Sequence, residues 1–128
     1  MNYLWIGLGS ALGGMGRYSF TALAARWIGE TFPWGTLWVN VLGSFIIGLV
    51  ATLVSPEGRL FVPTLARQFV MVGLCGGFTT FSTFSLETLN LARDGQWIKA
   101  AGNILGTYLL CLMGVWGGHA LATLLNER

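Results

Sequence analysis

The chain has 128 residues, of which 54% are hydrophobic and 9% charged, with a formal net charge of +2. That balance is too apolar and too rich in glycine for an ordinary soluble domain and points to a membrane protein. The small, scattered charge argues against a nucleic-acid partner.

A span across the hydrocarbon takes about 20 residues. The length therefore holds four spans, at about residues 3–28, 35–54, 66–91 and 100–125, joined by short connections in a single domain. The fold class expected is an all-α integral membrane protein.

The first predicted span is loaded with small residues: Gly7, Gly9, Ser10, Gly13, Gly14 and Gly16. At spacings near four, such residues let helix backbones approach closely in lipid. Its start lacks a basic leader and its apolar run outlasts a signal core, so it is expected to be retained as a helix. No strand precedes the glycines and no Lys-Ser or Lys-Thr follows, which argues against a phosphate-binding loop. Arg17 has apolar sequence on both sides, an expensive placement unless the guanidinium meets water or a partner. Two readings stay open for it: snorkelling to the interface, or a water-filled vestibule that attracts anions.

Pro33 and Trp34 stand where a helix start and an interfacial aromatic belong. Within the second span Asn40 is the one strongly polar interior residue. A buried amide must find a partner, so Asn40 is either glue between helices or a donor to a substrate. Residues 55–59, Ser-Pro-Glu-Gly-Arg, form a turn, and residues 60–65 read as a short interfacial piece.

The third span contains the stretch that departs from ordinary membrane helix, Gly-Leu-Cys-Gly-Gly-Phe-Thr-Thr-Phe-Ser-Thr-Phe-Ser at residues 73–85. Gly76-Gly77 is expected to interrupt the helix at membrane depth, where non-helical backbone survives only if it is buried in protein or lines a hydrated path. Phe78, Phe81 and Phe84 recur at threes, as do Ser82 and Ser85. A helix resuming near Thr79 stacks the rings along one edge and the hydroxyls along the next; an aromatic packing stripe explains the same spacing. Hydroxyls, carbonyls and ring edges suit holding and passing an ion. No constellation of nucleophile, base or metal ligands suggests an enzyme. Glu87, one turn on, either caps this site or pairs with an arginine near the surface.

On the fourth span Asn103, Thr107 and Cys111 share a face at spacing four, with Tyr108 beside them. Cys75 and Cys111 read as small hydrophobes rather than as a disulfide or metal pair, and His119 as a structural or interfacial histidine. Arg26, Arg93 and Lys99 lie toward one side of the membrane, and Arg59, Arg67 and Arg128 toward the other. Such a balance sets no inside. It permits insertion both ways up, and with it an antiparallel homodimer whose two-fold axis lies in the membrane plane.

Gly16-Arg17, Gly-Thr-Leu-x-Val-Asn at residues 35–40 and Gly-Gly-Phe-Thr-Thr-Phe-Ser-Thr-Phe at residues 76–84 resemble the Fluc family of bacterial fluoride channels. The resemblance runs over essentially the whole chain and is most specific in the third span. It implies four transmembrane helices with a broken third, paired as a dual-topology antiparallel homodimer in the lipid of the bacterial inner (cytoplasmic) membrane. It implies two pores that pass fluoride ion selectively and passively out of the cytoplasm, and so confer fluoride resistance. Phe81 and Phe84 then resemble the pore-lining phenylalanines, and Asn40 the pore-facing amide. Ser82, Thr83, Thr107 and Tyr108 are similar to the polar lining, and Arg17 to the vestibule arginine. The resemblance also implies a structural sodium ion (Na+) at the dimer centre, held by the backbone carbonyls of Gly76 and Thr79.

Two other classes fit parts of the sequence. A small dual-topology drug or cation exporter needs a membrane-embedded carboxylate, for which Glu87 is the intramembrane candidate. A non-transporting subunit would pack against a larger membrane complex through its glycine faces.

Overall fold

A computed structural model of the chain describes residues 2–128 and, among them, only helices and their connections. They are α1 (Asn2–Trp27), α2 (Trp34–Leu53), α3 (residues 64–78), α4 (Phe81–Arg93) and α5 (Trp97–Asn126). Three stretches are long and apolar enough to cross a membrane: Trp34–Leu53, Thr64–Arg93 and Trp97–Asn126. Helix α1 has 26 residues, which at the usual helical rise makes about 39 Å. Its length suffices for a crossing, but its glycines and Arg17 dilute its apolar character.

The bundle is organised as two close helix pairs, α1 on α3 and α2 on α5, and glycine makes both possible. A Cβ on Gly13 would run into the Leu74 carbonyl, and one on Gly77 would meet the Ser10 carbonyl at 2.5 Å. In the second pair, Gly48 and Gly118 stand against the carbonyls of Val115 and Phe45. Lipid gives helices no hydrophobic reason to associate, so such backbone contact is what holds them. Large apolar side chains accordingly lie outside, Leu12, Trp116 and Leu124 among them, while Val39 and Asn103 are the largest fully buried ones.

Local chemistry sets the ends. Gly95 adopts φ +76°, and the Gln96 amide donates to the Leu91 carbonyl at 2.8 Å, a left-handed helix stop that glycine accepts without strain. Pro63 sits just before α3, where its missing N–H costs nothing; residues 60–63 are not helical. At the far end the Arg59 guanidinium donates to the Leu125 carbonyl at 3.2 Å, a cation placed against the negative end of α5.

The third span is broken, but not at the glycine pair. Helix α3 opens with an α turn, continues as a π-helix over Gln68–Cys75 and closes with an α turn over Gly76–Phe78. The chain then runs extended through Thr79 (φ −87°, ψ 159°) and Thr80 (φ −154°, ψ 121°) before α4 begins. Gly76-Gly77 stays helical because at Gly77 the glycine serves close approach to α1 rather than flexibility. The Thr79 amide makes a last helical bond to the Cys75 carbonyl (3.0 Å), which also accepts from the Thr79 hydroxyl (2.9 Å), and the backbone leaves the helix at Thr79 itself.

Candidate functional site

Asn40 and Thr80 meet where the third span is interrupted. The Asn40 side-chain N–H donates to the Thr80 carbonyl at 2.9 Å, and the Thr80 amide donates to Asn40 Oδ1 at 2.8 Å. Both residues are buried. An amide side chain is the one neutral group that gives and takes like a peptide, so a single residue of α2 satisfies both backbone groups of an extended residue in α2's neighbour. Of the two sequence readings, glue describes what Asn40 does here, although its second N–H remains a donor.

The Thr80 hydroxyl then starts α4 as its N-cap, accepting from the Thr83 amide at 3.2 Å and donating to Thr83 Oγ1 at 3.1 Å. These bonds have a consequence for carbonyls. In an unbroken helix the Thr80 amide would go to Gly76 and the Thr83 amide to Thr79; here both are diverted. The Gly76 and Thr79 carbonyls thereby lose their helical partners. Gly76 lies exposed at the surface of the chain.

Beside the break is a cavity of about 340 Å³ that brings together Asn40, Thr79, Phe81, Phe84, Thr107 and Tyr108. Gly76 also reaches it, and no charged side chain lines it. The Phe81 and Phe84 rings pack tilted with centroids 5.4 Å apart, and Phe84 meets Tyr108 edge to face at 6.1 Å. Their exposure differs sharply: Phe84 is 5% exposed and Phe81 66%. The third ring of the expected stripe does not join them. Phe78 lies across the break and packs edge to face on Phe20 of α1 at 6.2 Å, because the extended residues 79–80 reset the helical phase. Ser82 and Thr83 belong to the Thr80 hydroxyl cluster rather than to the cavity wall. Arg17 lines neither this cavity nor the one described next.

A second cavity, of about 620 Å³, opens near the α1–α2 connection between Glu30, Thr36, Glu87, Asp94 and Lys99. Thr36 donates to Glu87 Oε1 at 2.8 Å, while Glu87 Oε2 is buried without a partner. Glu87 therefore belongs to this polar cavity and pairs with a hydroxyl, not with an arginine. Nearby, hydrogen bonds link half-buried Thr88 to the buried Asn103 and Thr107, the last of which lines the first cavity. Asn103 donates to Thr88 Oγ1 at 2.9 Å and accepts from Thr107 at 3.4 Å.

Thr80, Thr88 and Thr36 are the residues that sequence reasoning missed. Thr80 carried a signal in the hydroxyl that precedes a helix start by one residue. His119, exposed on α5, lies with Nδ1 2.8 Å from Thr52 Oγ1, in keeping with a structural or interfacial histidine.

A glycine-stitched helical membrane bundle with a broken span, a buried amide clamp and an uncharged aromatic cavity has the features of an ion-conducting membrane protein. The profile of the family described as "CrcB-like protein, Camphor Resistance (CrcB)" matches residues 4–119, and the chain belongs to that family. Among similar proteins, one from Opitutus terrae is 60% identical over 98% of this chain and 95% of its own length. One from Methylocella silvestris is 54% identical over 99% and 97%, and one from Rhodospirillum rubrum 54% identical over 99% and 98%. All three bear the name fluoride-specific ion channel FluC.

Proposed function

We propose that this chain is a fluoride-selective channel of the bacterial cytoplasmic membrane, exporting fluoride passively as an antiparallel homodimer of four-span subunits. The observation that carries the reading is the cavity at the break, walled by amide, hydroxyl and phenyl groups without a fixed charge. Fluoride holds its water strongly, so a path must replace that shell with donors. The spare N–H of Asn40, the hydroxyl of Tyr108 and the positive edges of Phe81 and Phe84 are donors of that kind, and Thr107 joins them by turning its one O–H from Asn103. Ser82 and Thr83 extend the hydroxyl set beyond the break, and Arg17 draws anions to a vestibule. Neutral donors bind weakly enough to release the ion, which conduction requires. The names borne by the relatives at 54–60% identity support the choice of ion.

In this reading α1 also crosses the membrane, which makes four spans in all, and the exposed Phe81 faces the second copy. The carbonyls of Gly76 and Thr79 would hold a structural sodium ion at the two-fold axis. The fit rests on their donor chemistry: hard, neutral oxygens released from helical bonding suit a hard monovalent cation. When bound, that ion supplies a positive joint between subunits.

The test is efflux from liposomes reconstituted with purified protein, followed by a fluoride electrode with chloride as control. Release of fluoride without chloride is expected; release of neither ion from folded protein overturns the reading.

A further inference from the structure

Helix α2 meets the break at two places. Asn40 grips Thr80 by hydrogen bonds, and one turn further on the buried Gly43 receives Thr79 by shape alone. A Cβ on Gly43 would run into Thr79 Cγ2, while the next residue it would meet, Phe78, stands at an ordinary 3.6 Å. The glycines that stitch the helix pairs lie against backbone carbonyls. Gly43 instead lies against a side chain, and its bare backbone is a socket for one methyl group. Both Gly43 and Thr79 border the cavity beside the break.

The socket also sets the Thr79 side chain. Hydroxyl, methyl and hydrogen take the three staggered positions around χ1 in an order that chirality fixes. Here the hydroxyl faces the Cys75 carbonyl at 2.9 Å and the methyl faces Gly43. The one rotamer that turns the hydrogen toward Gly43 presses the methyl against that carbonyl in place of the hydroxyl. A side chain at position 43 therefore makes Thr79 either give up its bond to Cys75 or move its backbone. That backbone continues into Thr80, whose amide and carbonyl orient the Asn40 side chain.

We propose that Gly43 is a positioning residue for the ion path: by seating Thr79 it keeps the extended link, and through it the Asn40 amide, in the geometry that offers a spare N–H to the cavity. Donors that replace an ion's water act only when their supports hold them in place. The role in conduction rests on the channel reading; the seating of the methyl does not.

Thr79→Ser keeps the hydroxyl and vacates the socket, whereas Gly43→Ala brings a methyl to the same place from the other side. The double variant thus carries one methyl across the contact and conserves volume. The test compares these three variants with wild type as full chains, by fluoride release from liposomes per folded chain and by thermal midpoint in detergent. Gly43→Ala is expected to slow release about tenfold or more and to lower the midpoint, because overpacking a tight contact displaces its neighbours. Thr79→Ser is expected to lose less of both, and the double variant to recover most of what Gly43→Ala loses. Where Gly43→Ala does not fold, folded and releasing protein from the double variant supports the same reading. A double variant no faster than Gly43→Ala overturns it. So does Gly43→Ala with the wild-type rate per folded chain, which would confine Gly43 to packing. If wild type releases no fluoride, the channel reading fails instead. The midpoints then still decide the seating: recovery in the double variant supports it, and none overturns it.

Discussion

The side-chain amide of Asn40 hydrogen-bonds Thr80 as a neighbouring strand would, taking its N–H at 2.8 Å and giving to its carbonyl at 2.9 Å. One residue of α2 thereby stabilises an extended turn of backbone in a bundle that is otherwise helical. Removing it frees the buried Thr80 N–H from its partner and leaves the Thr80 carbonyl only the bond that opens α4, at about 1–3 kcal/mol for the amide. Asn40→Ala is therefore expected to lower the thermal midpoint by several degrees and to abolish fluoride release. Asn40→Asp keeps the acceptor, loses the donor and places a negative charge beside the anion path. It should recover part of the stability and none of the flux, and a fully active Asn40→Asp would separate this amide from conduction.

The two rings of the cavity should part company when mutated. Phe81 is 66% exposed and Phe84 5% within one chain, so truncation opens a void inside the subunit only at Phe84. Phe84→Ala is expected to cost about 3–5 kcal/mol, seen as a large fall in the thermal midpoint. Phe81→Ile is expected to slow or abolish fluoride release while the assembly stays intact on a sizing column. Full-rate release by Phe81→Ile would take that ring out of the pathway.

Glu87 separates the channel from the exporter. Its Oε1 accepts from the Thr36 hydroxyl at 2.8 Å, a bond that an amide oxygen at the same place also makes. Glu87→Gln is expected to leave fluoride release substantially intact. A proton-coupled transport that vanishes in this variant would favour the exporter, because such coupling needs an ionisable carboxyl within the membrane.

Much of this architecture was legible in the sequence because its signals are local. Helix extents follow from apolar length and from punctuation at Pro33 and residues 55–59, and the predicted spans differ from the helices by only a few residues. The position of the break was less legible. Gly76-Gly77 is the obvious interruption in sequence, yet the interruption falls at Thr79 and Thr80, because what stabilises it is Asn40, 40 residues away. Phe78 illustrates the same limit: spacing alone groups it with Phe81 and Phe84, and only the extended link between them turns it toward Phe20. Thr107 and Tyr108 were assigned by resemblance, and the helical register of α5 does bring both to the cavity.

The diverted amides of Thr80 and Thr83 leave the Gly76 and Thr79 carbonyls without their helical partners, and the proposed sodium ion would make use of that. A ligand held at about a hundred times its Kd adds about 2.7 kcal/mol to the folded state. Exchanging sodium for N-methylglucamine is therefore expected to lower the thermal midpoint and the dimer fraction. A chelator of divalent ions should change neither, because neutral carbonyls without a carboxylate are poor ligands for such ions. Asn40→Ala should blunt the sodium effect, since an amide released from Asn40 is free to return to the Gly76 carbonyl. Sensitivity to the chelator, or a midpoint indifferent to sodium, would remove these carbonyls from any metal site.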